Sequence, residues 1–339
     1  MMKGKNILLG HGSGGKLSHE LIESLFVKYF HNPVLDEQTD SAVLGPVKGH
    51  LSFTTDSFVV DPVFFPGGDI GKLAVCGTVN DLAVSGADPL YLSAGFIIEE
   101  GFPLDDLEKI VKSMAEEARN AGVQIVTGDT KVVNRGHCDK IFINTTGIGK
   151  LPEKFTGISS GRGIKPGDKI IVNGYLGDHG MAIVAAREEL NIKSDLASDC
   201  ASLNGLVKKA MEASDSIRFM RDATRGGLAT VITEMVSGKP FGVTIDEEKI
   251  PVRESVRGFC ELLGFDPLYV ANEGKVVIVV AAEDEDRVLA ALRDHELGKD
   301  SRTIGGVSSE YPGKCWLETQ VGGRRIIDML AGEQLPRIC

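Results

Sequence analysis

Strand-like and helix-like segments alternate along almost the whole chain, and that alternation narrows the fold more than any other property of the sequence. Leu51–Val60 is rich in β-branched and aromatic residues, as a strand requires. From Ile70 to Ser85 apolar residues recur at helical spacing (Leu73, Cys76, Val79, Ala83), and Gly86 and Pro89 end the pattern. Leu104–Ala121 predicts an amphipathic helix with Leu107, Ile110, Val111, Met114 and Ala118 inward. Strands are expected at Val123–Thr127 and Ile141–Thr146. The segment Leu151–Pro166, rich in Gly, Ser and Pro, interrupts the series. Beyond it, strands are expected at Lys169–Asn173, Val243–Ile245, Val276–Ala281 and Thr303–Val307. Helices are expected at His179–Leu190, Leu203–Glu212, Gly227–Ser237, Val252–Leu263 and Glu283–Glu296. Such a series buries its apolar faces by packing helices on sheets. The fold class is therefore α/β with mixed sheets. The expected organisation is an N-terminal domain (1–155), a C-terminal domain (156–331) and a mobile tail (332–339).

At 339 residues the chain is long enough for two cores. Its net charge of −11 argues against a sequence-independent grip on nucleic acid. No apolar run approaches the ~20 residues of a membrane span. The opening Met1–Leu9 is too short and polar for an export signal. Six cysteines, at 76, 138, 200, 260, 315 and 339, are scattered. That spacing argues against a zinc site or a disulfide framework and for a reducing cytoplasm. Cys76 and Cys260 fall on apolar helix stripes, where Cys behaves as a small hydrophobe. Cys339 differs from these: it is the last residue, on the stretch Gly332–Cys339. At ~3.3 Å per residue, its seven steps let a thiol travel roughly 23 Å.

The glycines, 41 in all, cluster beside Asp, Ser, Thr and Lys. In His11-Gly-Ser-Gly-Gly-Lys16, several backbone N–H groups and a cation suit closure over phosphates. The spacing is not that of a Walker loop, and a flexible terminal loop is the plainer reading. Aspartates recur at element ends: Asp40, Asp56, Asp81 beside Asn80, Asp129 beside Thr130, and Asp222. Each alone reads as a cap or turn former. Together, hard oxygen ligands among glycines suit Mg²⁺ shared with nucleotide phosphates. Asp81 is unusual, because it interrupts an apolar helix where an unpaired carboxylate is costly. Glu273 stands at a strand mouth beside Gly274, and Lys131 follows Asp129 closely; either suits acid–base work if buried near phosphate. A surface turn and a solvated lysine are the plainer readings of these two. His179, in Gly177-Asp-His-Gly180, reads as part of a capping turn, with a site role the alternative.

Taken together, these motifs resemble the HypE family of hydrogenase maturation factors. That family lies within an ATP-binding superfamily with aminoimidazole ribonucleotide synthetase, selenophosphate synthetase and thiamine-monophosphate kinase. The resemblance runs almost end to end. It is carried by His11–Gly15, Thr54-Thr-Asp-Ser-Phe-Val-Val60, Phe64–Lys72, Gly77-Thr-Val-Asn-Asp-Leu82, Val126-Thr-Gly-Asp-Thr-Lys-Val132, Asp222-Ala-Thr-Arg-Gly-Gly227 and Ala271-Asn-Glu-Gly-Lys275. The terminal Pro336-Arg-Ile-Cys339 singles out the family. Lys16 stands where Arg is expected, and Arg would meet phosphate with a bidentate fork.

The resemblance implies a two-domain PurM-like ATP-binding fold, paired as a homodimer. It implies ATP held by Gly12, Gly14, Gly15, Lys16, Asp56, Asn80, Asp81, Asp129, Thr130 and Asp222, with Mg²⁺ on some of Asp40, Asp56, Asp81 and Asp129. A partner carbamoyltransferase, HypF, would load Cys339. ATP-dependent dehydration would convert the thiocarboxamide to a thiocyanate, with Glu273 and Lys131 as candidate proton acceptors. Cyanide would pass to iron in a HypC–HypD complex, for [NiFe]-hydrogenase. The residues alone leave two other readings open: a superfamily synthetase or kinase acting on a free small molecule, and a non-catalytic carrier whose tail only docks.

Overall fold

A computed structural model describes residues 6–39, 41–187, 195–329 and 335–339. In the first domain, short helices α1 (Lys16–Leu21) and α2 (Lys28–Phe30) precede strand β1 (His50–Phe58). A small hairpin, β2 (Phe64–Phe65) and β3 (Gly68–Asp69), leads into α3 (Ile70–Val84). Then follow β4 (Asp88–Glu99), α4 (Leu104–Ala121), β5 (Gln124–Val133) and β6 (Ile141–Leu151). The sheet order is β1-β6-β4-β5, antiparallel except for the β4–β5 pair.

The Asp69 carboxylate caps α3, accepting the N–H groups of Gly71 and Lys72 at 2.7 and 3.1 Å. α3 has no solvent stripe: it packs on the sheet, on α4 and on the second domain, so nearly all its residues are buried. Cys76 is therefore part of a helix buried all round, not of one apolar face. Leu73 and Val79 are fully buried there, each stabilising the fold by roughly 1.5–3 kcal/mol. α4 matches its amphipathic pattern and ends on left-handed Gly122 (φ 72°).

Strand β4 is not predicted by the sequence pattern, because Pro89 and Gly95 disguise it. A register slip between Pro89 and Tyr91 accommodates the proline at the strand's start. β5 also runs further than expected, carrying Gly128–Lys131 within the strand instead of in a loop.

The second domain contains β7 (Lys169–Val172), α5 (Asp178–Ala186), α6 (Asn204–Ala213), β8 (Ile217–Asp222), α7 (Gly227–Val236) and β9 (Gly242–Asp246). α8 (Glu254–Leu263), β10 (Val276–Val280), α9 (Glu285–Arg293), β11 (Arg302–Ser308), β12 (Cys315–Glu318) and β13 (Arg324–Ile327) complete it. Its sheet order is β13-β12-β9-β11-β7-β10-β8. β10 is apolar at every position because both of its faces are covered: Val277 and Val279 join the core with α7, while Val276, Ile278 and Val280 join the core with α6 and α9. Strands β8, β12 and β13 escape the sequence pattern, since charged residues interrupt each of them. The antiparallel β8–β10 pair sets Val276 opposite Asp222, which brings the Glu273 turn beside the end of β8.

The last five residues are docked on the protein. The backbone N–H of Val59 donates to the Cys339 oxygen at 3.0 Å, and that of Asp61 donates to the Arg337 carbonyl at 3.2 Å. Ile338 is buried in the first domain's core. Residues 332–334 of the expected mobile tail lie outside the described residues.

Candidate active site

The alternation of side chains across a sheet decides which predicted residues can act together. Register places Asp56, Thr145, Ala94 and Gly128 in one row across β1, β6, β4 and β5. The next row is Ser57, Asn144, Gly95 and Asp129. Successive rows face opposite sides of a sheet. The Asp56 row faces α3: Thr145 is fully buried and its hydroxyl donates to the Ala74 carbonyl at 2.9 Å. The Asp129 row faces away. Asp56 and Asp129 are thus on opposite faces and three strands apart, roughly 14 Å at ~4.8 Å per strand.

On the α3 side a cavity of about 320 Å³ opens between the domains. Asp56, Asp81, Asp222, Glu273, Arg225 and Cys339 line it, so four of the predicted carboxylates and the terminal cysteine converge on one space. β1 supplies Asp56, α3 supplies Asp81, the end of β8 supplies Asp222, and the turn before β10 supplies Glu273. The Thr54 hydroxyl donates to Asp81 at 2.8 Å, which answers the cost of a carboxylate on this apolar helix. Burial pushes Asp81 up, and Asp56 adds to the rise. Asp56 is raised as well, chiefly by burial. Asp222 is pushed up to about 7 by desolvation and by the nearby charges of Asp81 and Asp56. Glu273 is buried and held well above the ordinary carboxylate range by desolvation, with Asp199, Asp222 and Asp56 repelling its charge.

The cations here were not assigned from sequence. Arg225 approaches Asp56 at 3.9 Å and Arg221 lines the same cavity. Arg225 sits in the quoted Asp222–Gly227 motif, whose turn needs Gly226 and Gly227 at φ 71° and 57°. A Cβ on Gly227 would meet the carbonyl oxygens of Leu268 and Val270 at 2.6 Å, so only glycine fits. Behind Glu273, Asp199 forms a buried pair with Lys275 at 2.8 Å and accepts the Glu273 N–H at 3.0 Å. Burial would raise Asp199, but Lys275, with that N–H, holds it below the ordinary range.

The Gly-rich loop lies elsewhere. It runs along β5, where a Cβ on Gly12 would meet the Val132 nitrogen at 2.3 Å. His11, Gly12, Gly14, Asp129, Thr130 and Lys131 border a separate cavity of about 200 Å³. Lys131 pairs with Asp129 at 2.9 Å, both well exposed. Within one copy, Lys131 and Glu273 therefore line different cavities. Gly15 precedes α1, and Lys16 is exposed beside Glu20 at 3.8 Å. Asn80 has its amide fully engaged: it donates to the Ala201 and Glu273 carbonyls and accepts from Leu203 N–H, stitching α3 to the second domain. Asp40 lies outside the described residues. His179 does not cap α5. It is fully buried and bonds the tail, its Nε2 standing 2.8 Å from the Ile338 carbonyl.

The carboxylate set suits a divalent cation. Asp81 and Asp56 disfavour ionisation of Asp222, and Asp56 disfavours that of Asp81, as charges awaiting a counterion do. Among the described residues no three acidic, His or Cys side chains form a ready-made metal cage.

Two family models match the chain: AIR synthase related protein, N-terminal domain, over residues 38–151, and AIR synthase related protein, C-terminal domain, over residues 165–315. Carbamoyl dehydratase HypE of Cupriavidus necator is 50% identical over 339 residues, spanning 100% of this chain and 96% of that protein. Carbamoyl dehydratase HypE of Escherichia coli K12 is 49% identical over 339 residues, spanning 98% and 99%. A crystal structure of hydrogenase maturation protein HypE in complex with ATP matches with a TM-score of 0.93 at 50% identity, over 98% of this chain and 99% of that one. A HypE–HypF complex matches with a TM-score of 0.79 at 51% identity, over 91% and 99%. A thiamine monophosphate kinase from Aquifex aeolicus, 20% identical with a TM-score of 0.61 over 92% of this chain and 99% of that one, shares the fold.

Proposed function

The chain belongs to the HypE family of carbamoyl dehydratases, and on that premise we propose how its own residues carry out the reaction. The activity is ATP-dependent dehydration of the S-carboxamide on the terminal cysteine to a thiocyanate. One observation carries the residue assignment: Cys339 is docked in the wall of the cavity that Glu273, Asp222, Asp81, Asp56 and Arg225 also line.

An amide oxygen is a poor leaving group at neutral pH. Moving the γ-phosphoryl of ATP onto it gives an imidate phosphate, from which phosphate departs as C≡N forms. Glu273 takes the first proton from the amide nitrogen as the imidate forms, and the second leaves with the departing phosphate. Burial raises its proton affinity, which makes Glu273 a stronger proton acceptor than an ordinary carboxylate. Arg225 faces the phosphoryl group and offsets charge developing there. Asp56, Asp81 and Asp222, with Asp40, would hold Mg²⁺, which supplies charge neutralisation on the phosphates.

The remaining nucleotide contacts, from Gly12, Gly14, Asp129 and Thr130, belong to the β5 edge of the first sheet. The homodimer is the reading that reconciles the two groups. The face of the sheet away from α3 exposes Leu51, Phe53 and Ile97, an apolar surface that a second copy would cover. HypF as the loading partner is supported by the HypE–HypF complex of the relative. HypC–HypD as cyanide acceptor and a cytoplasmic location follow from the family reading. No helix among the described residues is long and apolar enough to cross a membrane.

Mass spectrometry of the C-terminal peptide tests the chemistry. After carbamoylation, addition of Mg-ATP should remove one water, about 18 Da, through phosphoryl activation of the oxygen. A carbamoyl mass that persists with Mg-ATP sinks the reading. Cys339→Ala should carry no modification.

A further inference from the structure

The tail is held chiefly through its backbone, and one fully buried side chain stands at the centre of the seat. Successive carbonyls are each met by a donor. Arg187 Nη2 donates to Pro336 O at 2.6 Å and to Arg337 O at 3.2 Å. Asp61 N–H also meets Arg337 O, His179 meets Ile338 O, and Val59 N–H meets the Cys339 oxygen. Arg337 sits at φ 52°, a left-handed backbone that a non-glycine residue holds only where its surroundings fix it. Its guanidinium donates to the Val59 carbonyl at 3.0 Å and pairs with Asp139.

The geometry fixes the tautomer of His179. A carbonyl oxygen only accepts, so Nε2 carries the hydrogen that meets Ile338 O. Nδ1 of the neutral ring then accepts from the Ser198 hydroxyl at 2.8 Å. Ser198 Oγ in turn accepts the Cys200 N–H at 3.0 Å. Phe65 packs edge-on against the ring, 5.7 Å between centroids, which blocks rotation. The helix that carries His179 is also tied to the Glu273 turn: Gly177 N–H donates to Asn272 Oδ1 at 2.7 Å and Gly180 N–H donates to Ala271 O at 3.0 Å. Ser198 is adjacent to Asp199, which accepts the Glu273 N–H. The tail seat and the Glu273 turn therefore share one hydrogen-bonded frame.

We propose that His179 is a positioning residue: its Nε2–H, held in one tautomer by Ser198, seats the Ile338 carbonyl and so fixes Cys339 in register with Glu273. The inference rests on the reading of Cys339 as a tethered substrate. It also makes a claim that does not depend on the chemistry: His179 controls how long the tail stays seated.

The test uses the full chain and two readouts. The first is the rate of Cys339 alkylation by iodoacetamide, followed on the C-terminal peptide. The second is single-turnover dehydration of the carbamoylated protein with Mg-ATP. His179→Phe fills the space but leaves the Ile338 carbonyl unpaired. It should speed alkylation and slow dehydration, each by roughly tenfold to a hundredfold, the range for an unsatisfied buried acceptor. His179→Gln restores an N–H donor and should recover most of both effects. A folded His179→Phe protein with unchanged alkylation overturns the proposal. So does a His179→Gln protein no better than His179→Phe at equal thermal stability. If alkylation shifts as expected while no variant, nor the parent, loses water with Mg-ATP, the seat stands and the dehydratase assignment fails.

Discussion

Asp222 and Asp129 look alike in sequence and behave oppositely in the fold. Each is followed by a small or hydroxyl residue and, two or three places on, a cation. Asp129 lies on the open face of the first sheet, well exposed and paired with Lys131. Asp222 ends β8, the edge strand of the second sheet, faces Asp81 and Asp56, and is pushed up to about 7. A carboxylate beside glycine is an invitation to bind something, but its charge state is set by what the tertiary fold places against it. The cavity with Asp222 and Glu273 stores repulsion between acids; the β5 edge stores almost none.

The sharpest break between the two regions should come from Glu273→Gln. It should lower single-turnover dehydration by roughly 10²- to 10⁴-fold, the usual share of general base catalysis. Carbamoyl loading should be unaffected. Wild-type dehydration should rise with pH through an inflection above the ordinary carboxylate range, since Glu273 acts ionised and burial resists that ionisation. A profile with no inflection above the ordinary carboxylate range would remove Glu273 from the proton-accepting role.

Asp222 should contribute to the pH dependence of stability. The folded protein holds its proton up to about 7, whereas an unfolded chain releases it near pH 4. Its contribution to stability is therefore fully present below pH 4 and is lost as pH rises through 7. Asp222→Asn should melt several degrees higher than the parent at pH 8, and the difference should vanish by pH 4. Without that convergence, the repulsion assigned to Asp222 is wrong. Mg²⁺ should stabilise the parent more at pH 8 than at pH 5, because the ion binds the deprotonated site.

The smallest effect on stability should come from Asp129→Asn, because an exposed ion pair contributes less than about 1 kcal/mol. Its effect on dehydration tests the homodimer. If Asp129 serves a neighbouring copy's nucleotide, an Asp129→Asn protein and a Glu273→Gln protein, each impaired, should regain activity when mixed and allowed to exchange. Two impaired proteins that stay impaired after subunit exchange would confine each site to its own chain.

Much of the architecture was legible in the sequence, because helices such as α4 and strands such as β10 write their burial into residue periodicity. β4 was not legible, since Pro89 and Gly95 imitate a loop and only pairing with β5 and β6 makes the segment a strand. Asn80 carried a site motif, and only the fold shows that its amide also stitches the domains together. Arg225 carried no signal apart from its place in a glycine turn.

By itself the sequence determined the family, the α/β class and the chemistry-bearing groups: the acids, the glycine turns and the terminal thiol. Those are properties of residue type and order, which local spacing records. Only the tertiary structure decided which acids share a space, that Lys131 and Glu273 lie apart within one copy, and that His179 holds the tail. Strand register and domain packing fix these relations through contacts between residues distant in the chain, and no local pattern encodes which face of a sheet a neighbour will cover.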